Sequence, residues 1–254
     1  MKMIGRTILL LSMTMAFLTA CSTPTVSSDD SDENSEKVER EDSSSSSNES
    51  KESLFNSNVD YGSMTDSRDG QVYRTVKIGE QIWMAENLNY ATTDGSCCYD
   101  NSVDGCDKYG RFYIWSTAMG KAEDECGIGH ECDLGSDNVQ GVCPEGWHVP
   151  TKTEWETLYT TVGGQDNAGK ALKSQTGWID GGNGSDDYGF SALPAGLGHH
   201  DGNFYYEGKR AIFWIATVFS SDQGYNVYLG YGFDRAVFGN GYKEGAFSVR
   251  CVKD

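Results

Sequence analysis

The sequence predicts a mixed α+β domain, made mainly of short strands and held by disulfides, over residues 61–254. Three observations carry that prediction: a strand pair with a tight turn early in the region, a capped helix near its middle, and seven cysteines spread along it. The region is rich in Gly, Tyr, Trp and Asn and has almost no long amphipathic helix pattern. It is long enough to bury one sizeable core, and no internal repeat points to a solenoid or propeller.

The strand pair comes first. Residues 72–78 alternate with period two, Gly79-Glu80 turns the chain, and residues 81–84 return it, which is a hairpin signature. Thr151-Lys152-Thr153-Glu154 after Pro150 is a capping box, and Trp155, Leu158 and Val162 follow at helical spacing. Gly163-Gly164 ends that helix, and a shorter one is expected over residues 168–172. Beyond Ser191, strands are expected over residues 212–217, 225–229, 235–238 and 248–252. Trp83, Trp115, Trp147, Trp155 and Trp214 fall inside these patterns and are expected in the core.

The N-terminus reads as an export signal. Lys2 and Arg6 precede a mostly apolar run over residues 8–18, too short for a membrane span of about 20 residues. Leu18-Thr19-Ala20-Cys21 matches a bacterial lipobox, so residues 1–20 read as a lipoprotein signal peptide and Cys21 as the lipidation site, palmitate included. Several acyl chains at about 0.8 kcal/mol per buried methylene give lasting attachment to the membrane. Ser22 in place of Asp after the cysteine implies the outer membrane, with the domain exposed at the cell surface. An ordinary signal peptide with a coincidental cysteine is the rival reading.

Residues 21–57 form the anchor and a Ser/Asp/Glu tether. Such a composition buries too little surface to offset an ordering cost of roughly 1–2 kcal/mol per residue, so the sequence predicts a disordered linker. The net charge is −18, of which about seven negative charges lie in residues 29–52 and a net of about −13 in the remainder beyond the signal. An acidic domain without a basic stripe repels phosphate backbones, which argues against nucleic acid as a partner.

With Cys21 assigned to lipid, the expected disulfides are Cys98–Cys106, Cys126–Cys132 and Cys143–Cys251, with Cys97 left over. Spacing alone does not separate Cys97 from Cys98. The C-x₂-C pairs favoured by zinc are absent.

Several ordered strings then resemble one family. They are Val76-Lys77-Ile78-Gly79 leading to Trp83-Met84-Ala85-Glu86-Asn87-Leu88-Asn89-Tyr90, and Cys98-Tyr99-Asp100-Asn101 leading to Cys106 and Tyr109-Gly110-Arg111-Phe112-Tyr113. Cys143-Pro144-Glu145-Gly146-Trp147-His148-Val149-Pro150-Thr151, Gly189-Phe190-Ser191-Ala192-Leu193-Pro194-Ala195-Gly196 and Phe247-Ser248-Val249-Arg250-Cys251 complete the set. Together they resemble the Fibrobacter succinogenes major paralogous domain from about residue 65 to 254. The resemblance implies a secreted or surface protein with no established enzymatic activity, in a genus that lives on plant cell walls. Adhesion is the role usually inferred there, by association rather than from residues. A more distant likeness of residues 146–155 and 247–251 to formylglycine-generating enzyme and C-type lectin-like folds implies a compact, irregular domain with one main helix. Neither mechanism carries over. No cysteine lies between Cys143 and Cys251 to supply the enzyme's redox pair, and the lectin calcium triplets are missing.

Other chemistry is weakly signalled. His148 sits in a turn and reads as a packing or hydrogen-bonding residue, while His199-His200 lies in a Gly-rich surface loop. His130 belongs to no motif, and neither H-E-x-x-H nor G-x-S-x-G occurs. Asp100 opens a false EF-hand, because Arg111 stands where a bidentate glutamate is needed. Asp180, Asp186 and Asp187 are weak calcium candidates, and no other cofactor is implied. Aromatics carry the best case for binding, since their rings join an apolar face to a polar edge. The candidate ligand-binding residues are therefore Trp178, Tyr205, Tyr206 and Tyr231. The expectation is a non-catalytic binding domain for cell-wall polysaccharide or another surface component. An envelope protein that binds neighbouring proteins is the alternative, and an uncharacterised hydrolase stands behind both.

Overall fold

The computed structural model describes Cys21, residues 51–135 and residues 138–254. The expected signal peptide and most of the expected tether lie outside the described residues. Alternation in the early segment produces the expected hairpin. β1 (Gly62–Thr65), β2 (Val72–Ile78) and β3 (Gln81–Met84) are successive antiparallel neighbours, with Val76 facing Trp83 across the β2–β3 pair. The small strands β4 (Ser96–Cys97), β5 (Phe112–Tyr113) and β6 (Trp147–His148) come next. A second hairpin follows, from β7 (Leu197–Gly198) and β8 (Phe204–Tyr205). The long meander β9 (Arg210–Val218), β10 (Gln223–Gly230) and β11 (Ala236–Tyr242) leads to β12 (Phe247–Ser248) and β13 (Val252–Lys253).

Strand order is β1-β2-β3-β13-β6 in one sheet and β11-β10-β9-β12-β5-β4 in the other. The single strand expected over residues 248–252 is thus two strands in different sheets. Between them Val249, Arg250 and Cys251 are buried, and the carbonyls of Val249 and Cys251 accept from Leu88 and Met84. Two polar-to-apolar demands meet here: the backbone leaves one ladder and must pair with the other.

The helices are short: α1 (Val103–Tyr109), α2 (Trp115–Ala118), α3 (Glu123–Cys126), α4 (Lys152–Thr161) and α5 (Gln165–Leu172). The predicted capping box starts α4: Thr151 Oγ1 accepts from the Glu154 amide at 3.3 Å and Glu154 Oε2 accepts from the Thr151 amide at 2.8 Å. Trp155, Leu158 and Tyr159 face inward from it. The core has two large aromatic centres. Trp83, Trp155, Phe190 and Phe213 form one, with Trp83 and Trp155 centroids 5.0 Å apart. Trp115, Trp214 and Phe247 form the other, with Trp214 stacked on Phe247 at 4.1 Å. All five tryptophans expected in the core are there.

The folded part starts upstream of the expected boundary. Phe55, Val59 and Tyr61 pack against the Trp83 centre, Arg74 lies 4.2 Å over the Phe55 ring, and buried Asn56 donates to the Asp186 carbonyl. The few hydrophobes at the tether's end therefore belong to the domain.

Cys98–Cys106, Cys126–Cys132 and Cys143–Cys251 are disulfides, the pairs of the sequence reading, and a fourth joins Cys21 to Cys97. That fourth pair differs from the expectation of a lipid on Cys21 and a leftover Cys97. Cys21 packs beside the Phe112 cluster, within bonding reach of Cys97. A sulfur in a disulfide has no valence for a lipid thioether, so the lipid-linked form requires this bond to be absent. Four disulfides point to an oxidising, extracytoplasmic compartment. Among the described residues no helix is long and apolar enough to cross a membrane.

Candidate ligand-binding groove

An open groove of about 540 Å³ runs between the loop after Cys98 and the β7–β8 hairpin. Tyr99, Phe204 and Tyr205 give it aromatic surface; Asp100, Asn101, Asn203 and Glu207 give it carboxylates and amides.

Each wall is fixed locally. On one side the Cys98–Cys106 disulfide ties the residue before the 3₁₀ turn Tyr99–Asn101 to α1, and Asp100 (φ 55°) and Asn101 (φ 52°) are both left-handed. Ser102 caps α1 by accepting from the Gly105 amide at 3.0 Å. On the other side Asp201 organises the hairpin turn. Its carboxylate accepts from the Asn203 amide and the Tyr205 hydroxyl, each at 2.9 Å, and His199 Nδ1 lies 3.1 Å away. The Asn203 amide, followed by the Tyr205 hydroxyl, holds the Asp201 carboxyl well below the usual carboxylate range. In return Asp201 raises the Tyr205 phenol.

Tyr206 is left-handed too (φ 67°), its ring 4.2 Å from the Arg210 guanidinium. Gly196 (φ 75°) must stay glycine, because a Cβ there would lie 2.1 Å from the Tyr205 carbonyl. Three of the six left-handed non-glycine residues described thus lie in or beside this groove. Such backbone costs of order 1–3 kcal/mol each and clusters at ligand clamps.

Below the rim the rings continue inward. Tyr99 and Phe204 centroids are 5.3 Å apart, and Phe204 stacks on buried Phe112 at 6.2 Å. The Tyr109 hydroxyl donates to Glu207 at 2.9 Å, and burial followed by that bond raises its phenol strongly. Lys108 lies 3.8 Å from the same carboxylate. The groove's exposed chemistry is therefore aromatic faces beside fixed acceptors and amides.

The candidate residues do not all meet here. Tyr205 lines the groove and Tyr206 adjoins it, at 41% and 44% exposure. Tyr231 is 40% exposed, but its backbone bonds to Lys209 beside Gly182 and it is not among the lining residues. Trp178 is a correction: it is 6% exposed, with its indole N–H shared between Ser174 Oγ (3.1 Å) and the Ala192 carbonyl (3.2 Å). The Gly-rich segment after it folds back, and the Trp178 amide donates to Asn183 Oδ1. Sequence reasoning missed Tyr99 and Glu207, which carry no signal of their own, while Phe204 is signalled by the aromatic run Phe204-Tyr205-Tyr206.

The weak calcium candidates do not converge. Asp186 faces inward, accepting from the Ser191 amide (2.7 Å) and hydroxyl (2.8 Å), while exposed Asp187 accepts from Ser185. Burial raises the Asp186 carboxyl to about 6. Among the described residues no group of three or more His, Cys, Asp or Glu is placed to hold a metal. His148 is buried between two carboxylates, Glu154 Oε1 at 2.7 Å and Asp254 Oδ1 at 2.6 Å, which is the hydrogen-bonding role expected of it.

The model of the Fibrobacter succinogenes major domain matches residues 76–253. The chain belongs to this family. Both walls of the groove lie inside the matched region, so the major domain itself carries the site. No curated protein and no solved structure matches the chain significantly.

Proposed function

We propose that this major domain is a non-catalytic binding module for a neutral polysaccharide, displayed at the outer membrane on a lipid-linked Cys21. The observation that carries the reading is the Tyr99–Phe204–Tyr205 surface set directly beside carboxylates and amides in one open groove. Sugar rings present apolar faces for such aromatics and hydroxyls for such acceptors. The acidic rim disfavours anionic ligands. Asp201 holds its own turn and Glu207 is engaged by Tyr109, so these carboxylates suit recognition better than proton transfer. The exposed aromatics are interspersed with acids rather than joined in a broad apolar patch, which favours a sugar over a protein partner.

The test is depletion of the full oxidised chain from solution by insoluble cellulose and xylan. The expected result is depletion by at least one, lost in Tyr205→Ala and retained in Trp178→Phe. Depletion by neither, with or without calcium, would move the assignment to a protein partner. For the anchor, mass spectrometry of the Cys21 peptide from membranes should show acyl chains. A peptide crosslinked to Cys97 instead would refute lipid attachment.

A further inference from the structure

We infer that the face of the large sheet turned away from the Trp83 centre holds, at the margin of the Trp214 cluster, a second subsite, centred on Asn226, that takes a further ring of the same neutral glycan; this rests on the function proposed above. Along β10 the side chains of Val227 and Leu229 enter the Trp83 centre. Asn226 and Tyr228 therefore point to the opposite face. There they join Arg210 and Ile212 of β9 and Gly239 of β11 in a groove of about 350 Å³. That volume is within the roughly 300–1,000 Å³ typical of small-molecule sites.

Asn226 is the polar centre of this groove. Its residue is only 4% exposed, yet it lines the groove, and its carboxamide is not among the described buried side-chain atoms that lack a partner, so it opens onto the groove. A carboxamide offers two donors and an acceptor oxygen, which suit the hydroxyls of a sugar ring entering the groove. Its neighbour on β9 is Trp214, but on the β11 side its neighbours are glycines. Asn226 pairs with Gly239, where a Cβ would lie 3.0 Å from Asn226 Oδ1. At Gly241 a Cβ would lie 3.3 Å from Asn226 Nδ2. Glycine inside a strand sacrifices packing and marks close approach by another group. Here the two glycines keep both ends of the amide uncovered.

The walls suit a ring. Tyr228 and Phe247 supply aromatic surface, and the Arg210 guanidinium spans Tyr206 (4.2 Å) and Tyr228 (5.6 Å). The same Tyr206 flanks the first groove. The hairpin links the two sites directly, since Leu197 lines the Asn226 groove and its paired residue Tyr205 lines the other. Paired strands are about 4.8 Å apart, so a chain molecule crossing the hairpin meets both grooves.

Calorimetric titration of the full oxidised chain with cello- and xylo-oligosaccharides of increasing length tests this. Affinity should rise with length, and Asn226→Ala should weaken the longest oligosaccharide on the order of tenfold while leaving the shortest binder unchanged. Gly239→Val, whose side chain would press on Asn226 and fill the subsite, should do the same, with a cooperative urea transition showing that the variant is folded. Tyr205→Ala should weaken every length. If both subsite variants bind the long oligosaccharide like wild type while Tyr205→Ala does not, the second subsite is refuted and the first groove stands. If wild type binds none of them, both readings fall.

Discussion

Replacing His148 by Phe should expose the energetic weight of one buried ion cluster, and should do so in a pH-dependent way. Phenylalanine keeps the ring volume and removes both hydrogen bonds, to Glu154 at 2.7 Å and Asp254 at 2.6 Å. Charge-assisted bonds are each worth about 1.5–3 kcal/mol. Glu154 is 24% and Asp254 55% exposed, so screening pulls the pair toward about 2–4 kcal/mol in total. Glu154 Oε2 keeps its partner in the Thr151 amide, so α4 retains its cap. Burial lowers the His148 pKa, but the bonds to Glu154 and Asp254 outweigh it and raise the net value. A raised folded pKa gives stability that is complete below the unfolded value of about 6.5 and is lost as pH rises through the folded value. Glu154 is shifted the other way: burial raises it, and His148 with Thr151 lowers it further. Its contribution is present above about pH 4.5 and is lost as pH falls through the folded value. The penalty for His148→Phe should therefore be largest between about pH 4.5 and 6.5 and smaller at about pH 8.5. Urea unfolding of oxidised wild type and variant at both pH values measures it, and effects of the buried Asp186 cancel in the difference. A penalty that is constant, or larger at the alkaline pH, would refute the assignment.

Removing Cys143–Cys251 as a double alanine variant should cost about 4.8 kcal/mol by loop-closure entropy, its cysteines being 108 residues apart, against about 2 kcal/mol for Cys126–Cys132 at a separation of 6. Denaturant midpoints that rank the two pairs the other way would contradict this. Asn87→Ala should cost roughly 3–5 kcal/mol, because Asn87 Oδ1 accepts both Nε (3.1 Å) and Nη2 (2.6 Å) of fully buried Arg250. Burial already draws Arg250 down to about 9, and Asn87→Asp, which offers the guanidinium a charge, should recover part of the loss in the same assay.

The parts of the fold that local chemistry decides were legible in the sequence. Period-two alternation gave β2 and β3, and the Thr151–Glu154 box gave the start of α4. What escaped depends on tertiary partners. Lys173 and Lys243 are buried, with ammonium groups on the carbonyls of Gly230, Phe233 and His130, and no spacing rule announces that. Trp178 stood as a ligand-binding candidate because its acceptor, the Ala192 carbonyl, is brought to it only by the fold. The groove was half legible: Tyr205 and Tyr206 stood out as adjacent aromatics. The opposite wall comes from the turn beginning at Tyr99, far away in the chain, and only the fold brings it alongside.

The position of β13 sets the order in which the protein can be assembled. Val252 pairs with Trp83 on one side and His148 on the other, so the final strand lies between β3 and β6 rather than at an edge. A chain made from its N-terminus delivers β1, β2 and β3 early, yet their sheet stays open until residues 252 and 253 arrive. The cysteine at 251 arrives with them, so the longest-spanning of the described disulfides can close only once that end of the chain is in place. Completion of the first sheet is therefore a late event, set by the same two residues.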